Sequence, residues 1–143
     1  MIRRIAWPLA AAVLASKGIR IFLFGTIVPT PFVAAGVAYL SAAAGIMVTA
    51  SHNENGWTGV KMGANKPLTF GPEEMGRLKS IVLGGKFNPQ PGGKLIRVEG
   101  MRERYIDSVS QSTKLTRKLK VVCACGNGAA GAFAPEALRR MGA

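Results

Sequence analysis

The stretch Gly45-Ile46-Met47-Val48-Thr49-Ala50-Ser51-His52-Asn53 decides how the chain is read. Ile46, Met47 and Val48 form a short apolar run, the signature of a buried strand over 45–49. Small Ala50 follows. Ser51, His52 and Asn53 then open a polar, glycine-containing loop over 50–59. A strand that ends on a serine presents a hydroxyl at the rim of a sheet. A small neighbour lets a ligand approach the backbone, and Thr49 and Asn53 can hydrogen-bond it.

Strands and helices alternate on both sides of this stretch. Upstream, a helix is expected over 6–17, with Pro8 in its first turn and Gly18 as its stop. A strand over 19–24 follows. The Val28-Pro29-Thr30-Pro31 turn leads into a helix capped by Thr30, with Pro31 at its first position. Downstream come a return strand over 60–62 and a helix from Pro72, carrying Glu73 and Glu74 in its first turn and Met75, Leu78 and Val82 inward. A strand over 94–98 precedes a helix over 101–111 with Tyr105, Ile106 and Val109 inward. A strand over 119–125, a Gly126-Asn127-Gly128 turn and a helix over 134–141 end the chain. This alternation predicts an α/β protein with a layered α/β/α sheet. A change of composition near Ser112 divides it into residues 1–112, one incomplete domain, and 113–143, the first strand and helix of a second, similar one.

The bulk properties narrow the choices. The 143 residues are 48% hydrophobic, enough for a core. There are 19 Lys and Arg against seven Asp and Glu, a net charge of +12. Such an excess attracts polyanions or anionic substrates. The basic residues are scattered, without aromatic interleaving or a nucleic-acid module, so no nucleic-acid partner is expected. Arg3-Arg4 followed by the apolar run over 5–15 has the flavour of a signal peptide. The run falls short of the roughly 20 residues that span a bilayer, and no membrane partner is expected. Cys123 and Cys125 have no second Cys/His pair to complete a zinc site and read as buried thiols of a reducing, cytoplasmic protein.

Ser51 beside His52 carries little weight alone, because a nucleophile–base pair needs geometry rather than adjacency. No Gly-x-Ser-x-Gly elbow surrounds it. Lys61, ten residues on, could return to the same site as a cation or proton carrier. The ordinary reading of Lys61 is a solvated strand-end lysine, and that of His52 is a turn residue.

The run over 45–53 resembles the active-site serine signature of the α-D-phosphohexomutases, the phosphomannomutase/phosphoglucomutase group. Pro29-Thr30-Pro31 resembles that family's proline-threonine-proline turn. Gly59-Val60-Lys61-Met62 resembles its glycine-aromatic-lysine segment. The segments over 119–122 and 126–131 resemble the strand and turn that open its second domain. Arg4 and Pro8 fit the helix before its second strand. The motifs occur in order over nearly the whole chain.

The resemblance implies a phosphoserine enzyme that interconverts hexose 1- and 6-phosphates through a bisphosphorylated sugar. By carry-over, Ser51 is the phosphoryl carrier and a magnesium ligand through its phosphate. His52 and Lys61 are catalytic, and Thr49 and Asn53 bind phosphate. Mg²⁺ and a hexose 1,6-bisphosphate are the implied cofactors, a hexose phosphate the partner, and the oligomeric state is left open. Two departures stand out: Glu54 replaces the family's proline, and Thr58 an asparagine. The metal loop of three aspartates is absent, the sole aspartate being Asp107. The expectation is therefore a chain without mutase turnover of its own. The alternative is a non-catalytic phosphate-binding remnant.

Overall fold

The computed structural model describes residues 2–64, 68–113 and 115–143. Five α-helices, five strands and one 3₁₀ turn follow in the order α1 (Ile2–Ala15), β1 (Arg20–Phe24), α2 (Thr30–Tyr39), β2 (Ala44–Val48), β3 (Val60–Ala64), β4 (Leu68–Thr69), α3 (Pro72–Gly84), β5 (Lys94–Val98), α4 (Met101–Ser112), the 3₁₀ turn Ala129–Ala132 and α5 (Ala134–Met141).

The fold is α/β, and its strands form two small sheets. β1 and β5 pair in parallel, with Phe22 opposite Ile96. β2, β3 and β4 form an antiparallel meander in which Val48 faces Val60 and Met47 faces Lys61. Parallel strands need a long crossover. Here α2, the meander and α3 all lie between β1 and β5. Helix α1 packs against β1, β2 and β5, and so touches both sheets.

The core lies where α2 meets α4 and α5. Phe32 is 2% exposed and Ile106 1% exposed, and Val28, Met101, Phe133 and Ala137 are buried with them. Phe32 sits at the centre of an aromatic group. Its ring centroid is 4.8 Å from Phe24, 5.2 Å from Tyr105 and 5.7 Å from Phe133. The edge-to-face and tilted arrangements are those favoured by ring quadrupoles.

Several expectations change. Helix α1 starts at Ile2 rather than Ala6, so Pro8 lies inside it and not in the first turn. The helix forgoes the bond that residue 8 would donate to residue 4. Gly18 does stop it, at φ +73°, with its N–H donated to Ala15. Thr30 does not cap α2. Pro29 is the N-cap and no side chain bonds the helix end.

Helix α3 begins as expected: the Glu74 carboxylate accepts the Gly71 N–H at 2.8 Å. However, it buries none of its residues, and Met75 and Val82 are 46% and 55% exposed. Its local start signals suffice to form it, and burial of the apolar face needs a neighbour that they do not supply. No strand forms over 119–125, where Val122 is 96% exposed. A strand exists only through a partner's hydrogen bonds, and β-prone residues without one stay irregular. For the same reason the cysteines are not buried thiols: both are free, Cys123 is exposed and Cys125 half-buried.

Candidate functional site

Strand β2 ends at Val48, and the chain turns over Ala50–Asn53. The ladder with β3 continues one step past the strand: Thr49 donates its N–H to the Gly59 carbonyl at 2.9 Å. This bond clamps the base of the serine loop. The strands approach closely here: a Cβ at Gly59 would lie 3.2 Å from the Thr49 carbonyl oxygen, tighter than an ordinary contact.

Two further bonds shape the turn. Ser51 donates its N–H to Thr49 Oγ1 at 2.9 Å. Asn53 donates its N–H to the Ala50 carbonyl at 3.0 Å. Ala50 is 2% exposed, so the turn is rooted in the protein while Ser51, His52 and Asn53 face solvent. Ser51 sits at φ +55°, one of two non-glycine residues with positive φ among the described residues. That conformation costs an L-residue about 1–2 kcal/mol, and such strain tends to gather at functional turns.

Ser51 Oγ lies 3.2 Å from His52 Nδ1. With Nδ1 unprotonated the hydroxyl donates; with Nδ1 protonated the ring donates. Thr49, Ser51, His52 and Asn53 are thus brought together, Asn53 through its backbone. Glu54 is exposed, and its carbonyl accepts the Trp57 N–H at 3.3 Å.

Lys61 is held differently. It sits on β3 opposite Met47, exposed, and no hydrogen bond joins it to the serine loop among the described residues. The register puts Thr49 opposite Gly59, so Lys61 and Thr49 are diagonal neighbours across the ladder. Diagonal pairs are within reach of a long side chain. Lys61 also borders a depression of about 70 Å³ between α2 and the meander, with Thr30, Val37 and Met47.

The expected magnesium meets a poor donor set. Beside Ser51 stand an imidazole and one carboxylate, and no group of three His, Cys, Asp or Glu side chains could share an ion among the described residues. A hard divalent cation takes about six oxygen ligands in near-ideal geometry. These residues do not fit a resident magnesium by themselves.

Two features of the loop have no signal in residue type: the left-handed backbone of Ser51, and the buried hydroxyl of Thr58, which has no hydrogen-bond partner among the described residues.

Residues 4–89 match the family model described as phosphoglucomutase/phosphomannomutase, alpha/beta/alpha domain I. The chain belongs to this family. The phosphohexomutase match runs from α1 through the serine loop to the segment before β5. Among curated relatives, a probable phosphoglucosamine mutase of Methanosphaera stadtmanae is 33% identical over 137 residues, 92% of this chain and 30% of the relative. The phosphoglucosamine mutase of Methylocella silvestris is 35% identical over 138 residues, again 30% of its own length. A probable phosphoglucosamine mutase of Methanothermobacter thermautotrophicus is 33% identical over 117 residues and is covered over 26% of its length. This phosphohexomutase chain thus spans under a third of the relatives it matches. No described helix is long and apolar enough to cross a membrane.

Proposed function

We propose that Ser51 is the phosphoryl carrier of a phosphohexomutase that interconverts hexose 1- and 6-phosphates. The observation that carries this reading is the serine turn. In a chain of this family, Ser51 stands exposed at the end of β2 on a strained turn clamped by Thr49 and Gly59. Phosphoryl transfer asks mainly for positioning and charge neutralisation. Phosphoserine gives its phosphoryl group to a sugar hydroxyl: the Oγ–P bond breaks, a sugar O–P bond forms, and the hydroxyl proton leaves. His52 Nδ1, 3.2 Å from Oγ, is placed to return a proton to the freed serine oxygen. Lys61 supplies positive charge across the ladder from Thr49 and can carry a proton. Thr49 and Asn53 line the phosphate.

The substrate is a hexose phosphate, and a hexose 1,6-bisphosphate loads the serine. The names of the relatives favour an amino sugar phosphate. Residues 1–112 and 113–143 belong to successive domains of such an enzyme, acting in the cytoplasm. Magnesium is the metal the family implies, and no step is assigned to it here because the donors around Ser51 do not fit it. For that reason we expect this chain alone to accept one phosphate and not to turn over.

Intact-mass analysis tests the reading. Incubation with glucose 1,6-bisphosphate is expected to add one phosphate to the chain and none to Ser51→Ala. A wild-type chain that stays unlabelled, or a Ser51→Ala chain that labels equally, overturns it.

A further inference from the structure

Thr58 is the residue of the loop that the reading above leaves without a task. Its Oγ1 is buried and has no hydrogen-bond partner, the one side-chain atom in that state among the described residues. An enclosed hydroxyl that bonds nothing is unfavourable, since it has given up water for no return. The ladder register places it. Thr49 is bonded to Gly59, so Thr58 is the loop residue next to the clamp that closes the serine turn. Ser51 itself holds φ +55°. Two unfavourable features therefore belong to one loop, in which the backbone donors of Thr49, Ser51 and Asn53 are bonded.

A strained backbone beside an idle hydroxyl is what a turn with a second seating would show. The second seating needs an acceptor for Thr58. A phosphoryl group on Ser51 brings three strong acceptor oxygens. A threonine hydroxyl can donate to one of them.

We propose that Thr58 is a positioning residue for the phosphoserine: once Ser51 is phosphorylated the turn reseats, and the Thr58 hydroxyl donates a hydrogen bond to the phosphate and fixes its direction. The proposal rests on Ser51 as the phosphoryl carrier. It is open to a test in which the phosphate is installed rather than transferred, so its failure is separate from the failure of that reading.

The experiment uses the full chain with serine or phosphoserine incorporated at 51 during translation, each with Thr58, Thr58→Val and Thr58→Ser. Valine keeps the shape and removes the hydroxyl; serine keeps the hydroxyl. In the unphosphorylated chain, Thr58→Val is expected to raise the melting temperature, because the idle hydroxyl is gone. In the phosphorylated chain the sign reverses: Thr58→Val melts below Thr58, and Thr58→Ser recovers most of the loss. The ³¹P resonance gives the second readout. It is recorded at about pH 9, well above the second ionisation of phosphoserine near 6, so that it reports hydrogen bonding rather than protonation. Thr58→Val is expected to move it towards the position of an unstructured phosphoserine peptide, and Thr58→Ser to leave it in place. If Thr58→Val shifts melting equally in both forms and the ³¹P resonances coincide, the hydroxyl does not touch the phosphate and the inference is wrong.

Discussion

Ser51 occupies a backbone region that glycine enters freely and other residues enter at a cost. Its φ of +55° is held by the Thr49 Oγ1 and Ala50 carbonyl bonds on either side. Ser51→Gly is therefore expected to stabilise the unphosphorylated chain by about 1 kcal/mol, read as a higher urea midpoint at unchanged slope. Ser51→Val, branched at Cβ, is expected to lower the midpoint. Neither variant should accept phosphate. Should Ser51→Gly be the less stable of the two, the turn is not strained in solution. The order of residues in this loop was legible in the sequence, because a buried run followed by a small residue and a polar trio has few other readings. Its backbone geometry was not. Serine has no preference for positive φ, and the strain arises from bonds to Thr49 and Ala50 that only the folded turn makes.

At the scale of elements, the seat of β2 under α2 depends on Gly45. A Cβ built there would meet Val37 Cγ2 at 2.8 Å and Val33 Cγ1 at 3.0 Å. Both are stiff, β-branched side chains of α2, and half or more of their surface is covered. Gly45→Ala is expected to destabilise the chain by about 1–3 kcal/mol, the usual cost of overpacking. Since β2 carries the serine turn, phosphate acceptance by Ser51 should slow with it. Equal stability of the variant would show that α2 can slide away freely.

The contact of α4 with α5 has a different basis. Glu136 on α5 is reached by Arg102 on α4 at 2.8 Å and by Arg140 on its own helix, and Arg140 also reaches Asp107. The hydrogen bond from Arg102, then that from Arg140, holds the Glu136 carboxyl below its ordinary value of 4.5. Below that value the unfolded chain binds a proton that the folded one does not, so stability rises with pH there. The contribution is fully present above 4.5 and is lost as pH falls through the lower, folded value. Glu136→Gln should flatten the loss of urea midpoint between neutral pH and the acid range. Matching acid profiles for the two chains would remove the clamp from the account. Elements with their own stop signals were legible: β5 was found at both ends because Gly93 and Gly100 bracket it. The face of α3 and the segment over 119–125 were not, since apolar periodicity tells which face can be buried and says nothing of whether a neighbour is there to bury it.

At the scale of the molecule, one side chain ties the parts together. Phe32 belongs to α2, Tyr105 to α4 and Phe133 to the turn before α5, and the three rings meet each other within 6.0 Å. Ser110 adds a polar contact between the same helices, its hydroxyl donating to Ile106 at 2.7 Å and lying 3.3 Å from the Ala137 carbonyl. Among its described residues the C-terminal segment has one helix, one 3₁₀ turn and no strand, too little to bury a core alone. Its order therefore depends on the aromatic group it shares with α2. Phe32→Ala removes the centre of that group and is expected to cost about 3–5 kcal/mol. For a chain of this size that is a large share of a total of roughly 5–15 kcal/mol. The diagnostic is where protection is lost. Amide exchange should accelerate together in α2, α4 and α5, while α3, which shares none of this core, should change little. If α5 kept its protection while α2 lost it, the C-terminal segment would be holding itself together, and the coupling drawn from Phe32 would be wrong.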